Sequence, residues 1–281
     1  MKPRVAVLGL GSMGQRYVRL FSPSSKVYGC DVRAETHPDG VRCFETVTQL
    51  LAKVTPTIVV IALPADQHLS TLYAVRKAHP TCSVLLEKPV TGTAIADIDI
   101  VRCYSLGGVI AVGYCWRFHP YVRELYAERH NILDITLHVA SDMRTWPGQR
   151  YADPLREFSH ELDLVTHLTF NPTLASAEQV HGCYVVTGEH RFGVWRVHIE
   201  PYHDPPARWI SLRMAGGATL MKHWEQHESW IDSMYRAQAM EVQGANDQRD
   251  LTCPLRDALR TTVLVDEVEQ VLNAQNTEVL M

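Results

Sequence analysis

The stretch VAVLGLGSMG, residues 5–14, joins a short apolar run to three glycines at the spacing G-x-G-x-x-G. The run Val5–Leu8 predicts a β-strand, and apolar residues recurring through Ser12–Phe21 predict a helix. The glycines are Gly9, Gly11 and Gly14. In a dinucleotide-binding turn the first allows a tight turn, the second lets the backbone approach a pyrophosphate, and the third lets helix pack on strand. The motif alone is weak evidence, but its position between strand and helix predicts a dinucleotide site.

Two further features agree with this interpretation. The predicted helix begins at Ser12 and Met13, where unpaired N–H groups and a partial positive charge would face the phosphates. Asp31, seventeen residues after Gly14, follows the predicted strand Lys26–Cys30 and would accept hydrogen bonds from ribose hydroxyls. Its carboxylate would repel a 2′-phosphate, which favours NAD. Arg33 weakens that preference, because its guanidinium could accept the phosphate of NADP. The alternative is a strand, turn and helix that bind no ligand.

Composition excludes several classes of protein. The 281 residues are 46% hydrophobic and 21% charged, which is typical of a soluble globular chain with room for two domains. A formal net charge of −4 argues against nucleic-acid binding, and no run is long enough to span a membrane. Seven cysteines without a C-x-x-C pair predict free thiols in a reducing, cytoplasmic compartment rather than disulfides or zinc. The scattered histidines suggest no metal site.

The pattern of predicted elements changes near residue 116. Before it, short apolar runs such as TIVVIALP alternate with helical patterns, which predicts a parallel sheet covered on both sides. After it, DITLHVAS, WISLRM and ATLMKHW predict longer strands of a mostly antiparallel sheet, preceded by one helix over Leu155–Phe170. An amphipathic helix in CPLRDALRTTVLVDEVEQVL closes the chain. We therefore expect an α/β Rossmann domain over 1–115 and an α+β domain over 116–281, with the last helix near their junction.

Three more segments follow predicted strands of the first domain. They are IALPADQH, which contains Leu63, Pro64 and His68; LLEKP, which contains Glu87 and Lys88; and GYCWRFHP, which contains Tyr114 and Arg117. Because the carboxyl ends of parallel strands form the ligand crevice of an open sheet, all three are expected to face the cofactor. A lysine in such a crevice can exchange a proton with a reacting oxygen.

Together these motifs resemble the glucose–fructose oxidoreductase, inositol dehydrogenase and rhizopine-catabolism (Gfo/Idh/MocA) family of oxidoreductases. The resemblance extends to FSHELD, to HIEPYHDPPARWISLRMAGGATL and to PLRDALRTT, and so covers nearly the whole chain. It implies hydride transfer between NAD(P) and an alcohol or ketone of a sugar-like small molecule. It also implies a homodimer or homotetramer formed through the C-terminal sheet. By the same resemblance Lys88 is the catalytic lysine, and His160 is the general acid/base.

The segment around FSHELD departs from the family at one position. Helical spacing would place Arg156, His160, Asp163 and His167 on one face, where Asp163 could orient His160. Many relatives carry an aspartate where this chain has Arg156. An arginine there could clamp a substrate carboxylate or phosphate, as in a branch that resembles this chain and handles acidic or activated sugars. It could equally be a solvated charge on the helix.

Four further residues are candidates for contacts with substrate or cofactor. Tyr114 and Arg117 are expected to border the substrate pocket, and Trp146 could stack on a sugar ring or pack in the core. His68 could contact the nicotinamide side or cap the adjacent helix. The favoured function is an NAD(P)-dependent sugar oxidoreductase. Alternatives are redox-neutral glycoside cleavage with bound NAD, reduction of an imine or tetrapyrrole, and a dinucleotide sensor that is not an enzyme.

Overall fold

The computed structural model describes residues 2–145, 153–224 and 228–279. The chain divides into two compact units, the first made of Met1–Cys115 with Asp232–Leu259 and the second of Trp116–Ile231 with Arg260–Met281. These units share the boundary after Cys115 with the expected domains, but Asp232–Leu259 belongs to the first unit rather than the second. Among the helices of the described segments, none combines the length and apolar character needed to cross a bilayer.

Six parallel strands form the sheet of the first unit, in the order β3-β2-β1-β4-β5-β6. Their bounds are Arg4–Leu8 (β1), Lys26–Cys30 (β2), Arg42–Phe44 (β3), Ile58–Ile61 (β4), Ser83–Leu86 (β5) and Ile110–Val112 (β6). The strand order reverses between β1 and β4, where a doubly wound sheet opens its ligand crevice. All four residues of β4 are buried, as expected of a central strand covered on both faces. The predicted Rossmann sheet is confirmed.

Four helices accompany these strands. They are Ser12–Phe21 (α1), Val47–Lys53 (α2), His68–Ala78 (α3) and Asp97–Tyr104 (α4). Strand β3 and helix α2 were not predicted, since a three-residue edge strand carries almost no periodic signal. A start signal for α2 is nevertheless present, because the Thr46 side chain accepts a hydrogen bond from the Gln49 N–H at 3.2 Å.

The long helix Glu228–Gly244 (α8) explains why Asp232–Leu259 joins the first unit. Gln238 donates to the Val112 carbonyl at 2.7 Å, and Tyr235 packs edge-on against Tyr17 with ring centroids 5.9 Å apart. After the helix, Val112 donates its N–H to the Cys253 carbonyl at 3.0 Å, which extends the hydrogen bonding of β6. The last helix, Leu255–Val279 (α9), begins in the first unit and continues in the second.

The second unit contains a mixed, mostly antiparallel sheet in the order β12-β11-β7-β10-β9-β8. The strands are Ile132–Asp142 (β7), Thr173–Val180 (β8), Cys183–His190 (β9), Gly193–Glu200 (β10), Tyr202–Met214 (β11) and Thr219–His223 (β12). Strands β7 and β10 pair in parallel, and the other neighbours are antiparallel. The expected open sheet is therefore confirmed, although only β7, β11 and β12 were predicted from the sequence.

Short helices also occur in the second unit. They are Pro120–Ala127 (α5), Pro154–Glu157 (α6) and Ser159–Leu168 (α7), with α7 packed on β7 and β10. The single helix expected over Leu155–Phe170 is wrong, because the chain leaves helical geometry at Phe158, with φ −89° and ψ 20°. Phe158 is only 2% exposed, so this turn buries its ring. Arg156 therefore lies on α6, and His160, Asp163 and His167 lie on α7.

Candidate active site

The glycine turn has the geometry that a pyrophosphate cradle needs. Gly9 has φ +87°, and a Cβ atom there would overlap the Ala62 carbonyl oxygen. A Cβ at Gly14 would overlap the Gly9 carbonyl oxygen, so α1 could not approach β1 so closely with any side chain at that position. A Cβ at Gly11 would meet only the Arg33 guanidinium, 3.9 Å away. Backbone atoms therefore fill the space beside Gly9 and Gly14, whereas the space beside Gly11 is open to a ligand.

The first turn of α1 leaves its amides available to a ligand. Gly11 caps the helix without a side-chain hydrogen bond, and no acidic residue lies in the first turn. The first intrahelical bonds run from the N–H groups of Gln15 and later residues, so those of Ser12, Met13 and Gly14 have no helical partner. Such a helix end favours an anion. The residues present therefore fit the pyrophosphate of a dinucleotide, and Ser12 and Met13 would hold it.

Asp31 and Arg33 meet at the end of β2. Asp31 is 8% exposed, and its carboxylate accepts hydrogen bonds from the Leu10 N–H at 2.8 Å and the Arg33 N–H at 2.9 Å. The Arg33 Nε lies 3.3 Å from the same carboxylate. Burial alone would raise the pKa of Asp31, but these hydrogen bonds outweigh it and lower the pKa. The site thus presents an ionised carboxylate with a guanidinium beside it, 57% of whose side chain is exposed.

His68 holds two crevice segments together. It is 1% exposed and begins α3. Its Nδ1 lies 2.7 Å from the Pro89 carbonyl oxygen, and its Nε2 lies 2.8 Å from that of Leu63. Burial lowers the pKa of His68, although both carbonyl oxygens oppose the shift. His68 thereby connects the segment after β4, including Leu63 and Pro64, to the segment after β5. Neither of its two expected roles included this connection.

Glu87 and Lys88 follow β5 directly. Lys88 is half-buried and precedes Pro89 through a cis peptide bond. Glu87 is 6% exposed. Its carboxylate accepts a hydrogen bond from the Tyr17 hydroxyl at 2.6 Å and another from the Lys88 N–H at 3.1 Å. The expected cofactor contact of Glu87 stays a prediction, whereas its bonds to Tyr17 and to the Lys88 backbone had not been expected.

His160 lies near the start of α7 in the second unit and is 9% exposed. On the same helix Asp163 is completely buried. Arg117 donates to both carboxylate oxygens of Asp163, at 2.9 and 2.7 Å, and Thr261 donates to it at 3.0 Å. Arg117 is itself 1% exposed. Arg117 had been expected to border the substrate pocket and Asp163 to orient His160, but each has the other as its partner in a buried bidentate pair.

Arg156 is also held by ion pairs within the second unit. Its guanidinium lies 2.7 Å from an Asp266 oxygen and 2.6 Å from a Glu269 oxygen, both on α9. The alternative of a solvated helix charge is wrong, since Arg156 is 5% exposed. Two carboxylates already balance its charge, so a substrate anion would have to compete with them. These acids had not been recognised, although their spacing of three on an amphipathic helix places both on one face.

Two expected substrate residues remain. Tyr114 is completely buried just after β6, and its contact with substrate stays a prediction. Trp146 lies outside the described residues. Arg208 and Glu161 were not among the predicted site residues, yet they form a third buried ion pair of the second unit at 2.7 Å. Within the described segments, no three histidine, cysteine or acidic side chains gather as metal ligands.

Comparison with known proteins agrees with this geometry. Residues 3–111 match the model of the Gfo/Idh/MocA oxidoreductase family, described as having an NAD-binding Rossmann fold. The match includes the glycine turn, Asp31 and Lys88. Comparison with curated protein sequences finds no match.

Solved structures share the fold over nearly the entire chain. A myo-inositol dehydrogenase from Corynebacterium glutamicum is 14% identical, with a TM-score of 0.79 and 98% of each chain covered. The WlbA dehydrogenase from Bordetella pertussis, in complex with NADH and UDP-GlcNAcA, is 16% identical with a TM-score of 0.78 and 97% of each chain covered. The UDP-N-acetylglucosamine 3-dehydrogenase GnnA from Acidithiobacillus ferrooxidans is 18% identical, with a TM-score of 0.76 and coverage of 98% and 99%. At these identities the likeness establishes a common fold.

Proposed function

We propose that this chain is an NAD(P)-dependent dehydrogenase or reductase acting on a hydroxyl or ketone of a sugar, because residues 3–111 match the model of the Gfo/Idh/MocA oxidoreductase family. The observation that carries the proposal is the cradle around Gly11. An uncapped helix start, an open approach above the glycine and an ionised Asp31 lie together there. These are the groups that a dinucleotide's pyrophosphate and ribose require.

Lys88 and His160 carry the proposed chemistry. A bound nicotinamide supplies the acceptor or donor of the hydride. In the oxidative direction His160 removes the proton from the substrate hydroxyl. The Lys88 ammonium donates a hydrogen bond to the same oxygen and stabilises the charge that develops on it. In the reductive direction His160 returns the proton to the oxygen. The alternative of a sensor would not need either proton-transfer group.

The substrate class is proposed more narrowly as a nucleotide-linked or acidic sugar. Two similar folds carry UDP-linked sugars in their names or complexes. In this chain Arg156 is balanced by Asp266 and Glu269, so we no longer assign it the role of an anion clamp. NAD is favoured over NADP by Asp31, with Arg33 leaving room for either. We further propose a cytoplasmic homodimer or homotetramer formed through the second sheet.

Variants of the two reacting residues test this function. Lys88→Ala and His160→Ala should each lower turnover by about a hundredfold or more, while the Kd for NAD changes little. Lys77→Ala, which removes an exposed lysine from the last turn of α3, is the matched control and should keep full activity. Full turnover in Lys88→Ala would refute the catalytic role assigned to Lys88. Failure of both NAD and NADP to bind would refute the proposed oxidoreductase function.

The substrate and the reaction type require a separate survey. Thermal shift with NAD(H), NADP(H) and a panel of inositols, carboxylated sugars and UDP-linked sugars should identify ligands that stabilise the folded chain. With a substrate in hand, one NADH should form for each product molecule. Turnover with an unchanged NAD pool would instead establish redox-neutral glycoside cleavage.

A further inference from the structure

A row of four rings crosses the second sheet. The strand register pairs His198 on β10 with His138 on β7, and His138 with Trp209 on β11. Trp209 pairs in turn with His223 on β12. The His138 ring stacks on Trp209 with centroids 5.1 Å apart and planes 7° apart, and on His198 with centroids 6.3 Å apart. We refer to His198, His138, Trp209 and His223 as the ring row.

The ring row lies on the face of the sheet opposite α7. Helix α7 packs on β7 and β10, and Leu137 and Val197 of these two strands are buried. Successive side chains of a strand point to opposite faces, so the next residues, His138 and His198, point away from α7. Both are half-buried, whereas Val194 on the same face is 50% exposed. The rings therefore form part of an accessible surface.

One carboxylate faces the histidines of this surface. Glu200 Oε1 lies 3.7 Å from His138 Nε2, and Glu200 Oε2 lies 3.2 Å from His203 Nδ1. A charge on His203 opposes a proton on His138. On the ring of His198, the charges of His138 and Arg196 oppose a proton, and only Glu200 favours one. A single negative charge therefore serves three imidazoles.

The two stacked imidazoles are uncharged at neutral pH. Burial lowers the pKa of His138, with Glu200 opposing the shift. Burial also lowers the pKa of His198, and a charge on His138 lowers it further. Because an ordinary imidazole titrates at about pH 6.5, both rings are neutral at pH 7.5 and gain a proton only in acid. Neutral rings attract each other when stacked, whereas two imidazolium rings at this distance repel.

The charges on this face suit contact with a second copy of the chain. A symmetric contact between two copies places a patch against itself, so a patch with unbalanced charge would repel its own copy. Here Arg213 Nε lies 2.5 Å from Asp134 Oδ2 on the same face. The charged neighbours of the ring row, Arg196 and Glu200, are one of each sign. A charge-balanced face with aromatic rings at its centre therefore fits its own copy better than a strongly acidic or basic partner.

We propose that the ring row forms the centre of a contact between two copies of the chain, and that protonation of His138 and His198 separates them. Contact removes these imidazoles further from water, which disfavours their charged form. Protons therefore bind first to the separated chains, and association weakens as the pH falls. The inference rests on the proposed assembly through the second sheet, to which it adds the residues at the contact and its dependence on pH.

Sedimentation equilibrium of the full chain at pH 7.5 and at pH 5.5 tests the inference. A histidine that titrates at about pH 6.5 when free and stays neutral in the contact weakens association about tenfold over this interval. The lowered pKa of His138 and of His198 reduces the effect of each ring, but a pair of copies contains both rings twice. We therefore expect the Kd of association to rise about tenfold or more. Circular dichroism at both pH values should show that the chain remains folded.

The double variant His138→Gln with His198→Gln distinguishes these rings from other titrating groups. Without either imidazole, the Kd of association should be the same at both pH values. His130→Gln changes an exposed histidine outside the sheet. It is the matched control, and its association should weaken in acid as that of the wild type does. If the double variant fails to fold, His138→Lys, which places a permanent cation in the ring row, should raise the Kd at pH 7.5.

A wild-type Kd that is equal at both pH values would overturn this inference and leave the proposed assembly standing. The same conclusion would follow from acid dissociation of the double variant equal to that of the wild type, or from an unchanged Kd in His138→Lys. A wild-type mass of one chain at pH 7.5 would overturn both the assembly and the inference. None of these measurements depends on turnover, so their failure is distinct from failure of the proposed oxidoreductase function.

Discussion

His167 is a buried side chain that makes the stability of the folded chain depend on pH. It lies on α7 with its ring stacked on Tyr126, centroids 4.3 Å apart and planes 12° apart. Burial, followed by the positive charges of Arg117 and Arg129, lowers the pKa of His167 to about 2. The imidazole is therefore neutral in the folded chain at every physiological pH, whereas in the unfolded chain it titrates near pH 6.5.

Acidification should destabilise the protein through this residue. Because the folded pKa lies below the unfolded one, the unfolded chain binds the proton first, and stability falls as the pH drops through about 6.5. Protonation of His167 in the unfolded chain should lower the free energy of unfolding by about 1.4 kcal/mol between pH 7.5 and pH 5.5. The free energy of unfolding should be measured by urea denaturation at pH 7.5 and at pH 5.5. Between these two pH values His167→Gln should lose about 1.4 kcal/mol less unfolding free energy than the wild type. His130→Gln changes an exposed histidine and should retain the wild-type loss; an unchanged loss in His167→Gln would contradict the assignment.

Asp31 should control which cofactor binds. Its ionised carboxylate is the predicted acceptor for ribose hydroxyls, and charged hydrogen bonds of this kind contribute about 1.5–3 kcal/mol each. Asp31→Ala should therefore weaken NAD binding by about tenfold or more, and should weaken NADP less or strengthen it. Calorimetric titration measures both affinities, with the exposed Asp39→Ala as control. Equal losses for the two cofactors would show that Asp31 does not distinguish them.

At the scale of elements, the sequence predicted those strands and helices whose boundaries are determined by neighbouring residues. The run Val5–Leu8 and the helix Ser12–Phe21 have the predicted bounds, give or take one residue, because a buried strand and a glycine turn act within a few residues of each other. The break at Phe158 was not predicted, since no proline or glycine marks it. Strands β8–β10 were also missed, as half-exposed strands such as Thr173–Val180 have weak hydrophobic contrast.

The glycine turn allows a prediction that separates folding from binding. Gly11→Ala introduces a methyl group into open space at a residue with φ −67°, so stability should change little. The methyl would nevertheless occupy the approach of the pyrophosphate, and NAD affinity should fall strongly. Gly9→Ala should instead unfold more easily, because φ is +87° and the methyl meets the Ala62 carbonyl. Thermal melts and calorimetry measure the two effects, and full NAD affinity in Gly11→Ala would contradict the cradle.

At the scale of the whole molecule, the contacts that the sequence did not disclose join distant segments. Arg117 and Asp163 are 46 residues apart, and Arg156 and Asp266 are 110 apart. No local rule connects such residues, so the motif containing His160 could be found while the partners of Arg156 and Asp163 could not. The same holds for Asp232–Leu259, which returns to the first unit. The geometry of the glycine turn was predictable because its residues lie within one short motif.

The face of the second sheet opposite α7 should form the proposed contact between copies. Along β10, Trp195, Val197 and Ile199 point to the packed side, so Val194 points to the other and is 50% exposed. Met221 pairs with Ser211 on that same side and is 58% exposed. A charge at either position would be buried unpaired in an interface, which is strongly unfavourable.

Val194→Glu and Met221→Glu should therefore lower the molar mass measured by light scattering to that of a smaller assembly. Ile98→Glu, on a 70% exposed residue of α4, is the control and should leave the mass unchanged. A wild-type mass equal to one chain would exclude the assembly, and unchanged assembly in both sheet variants would place the interface elsewhere.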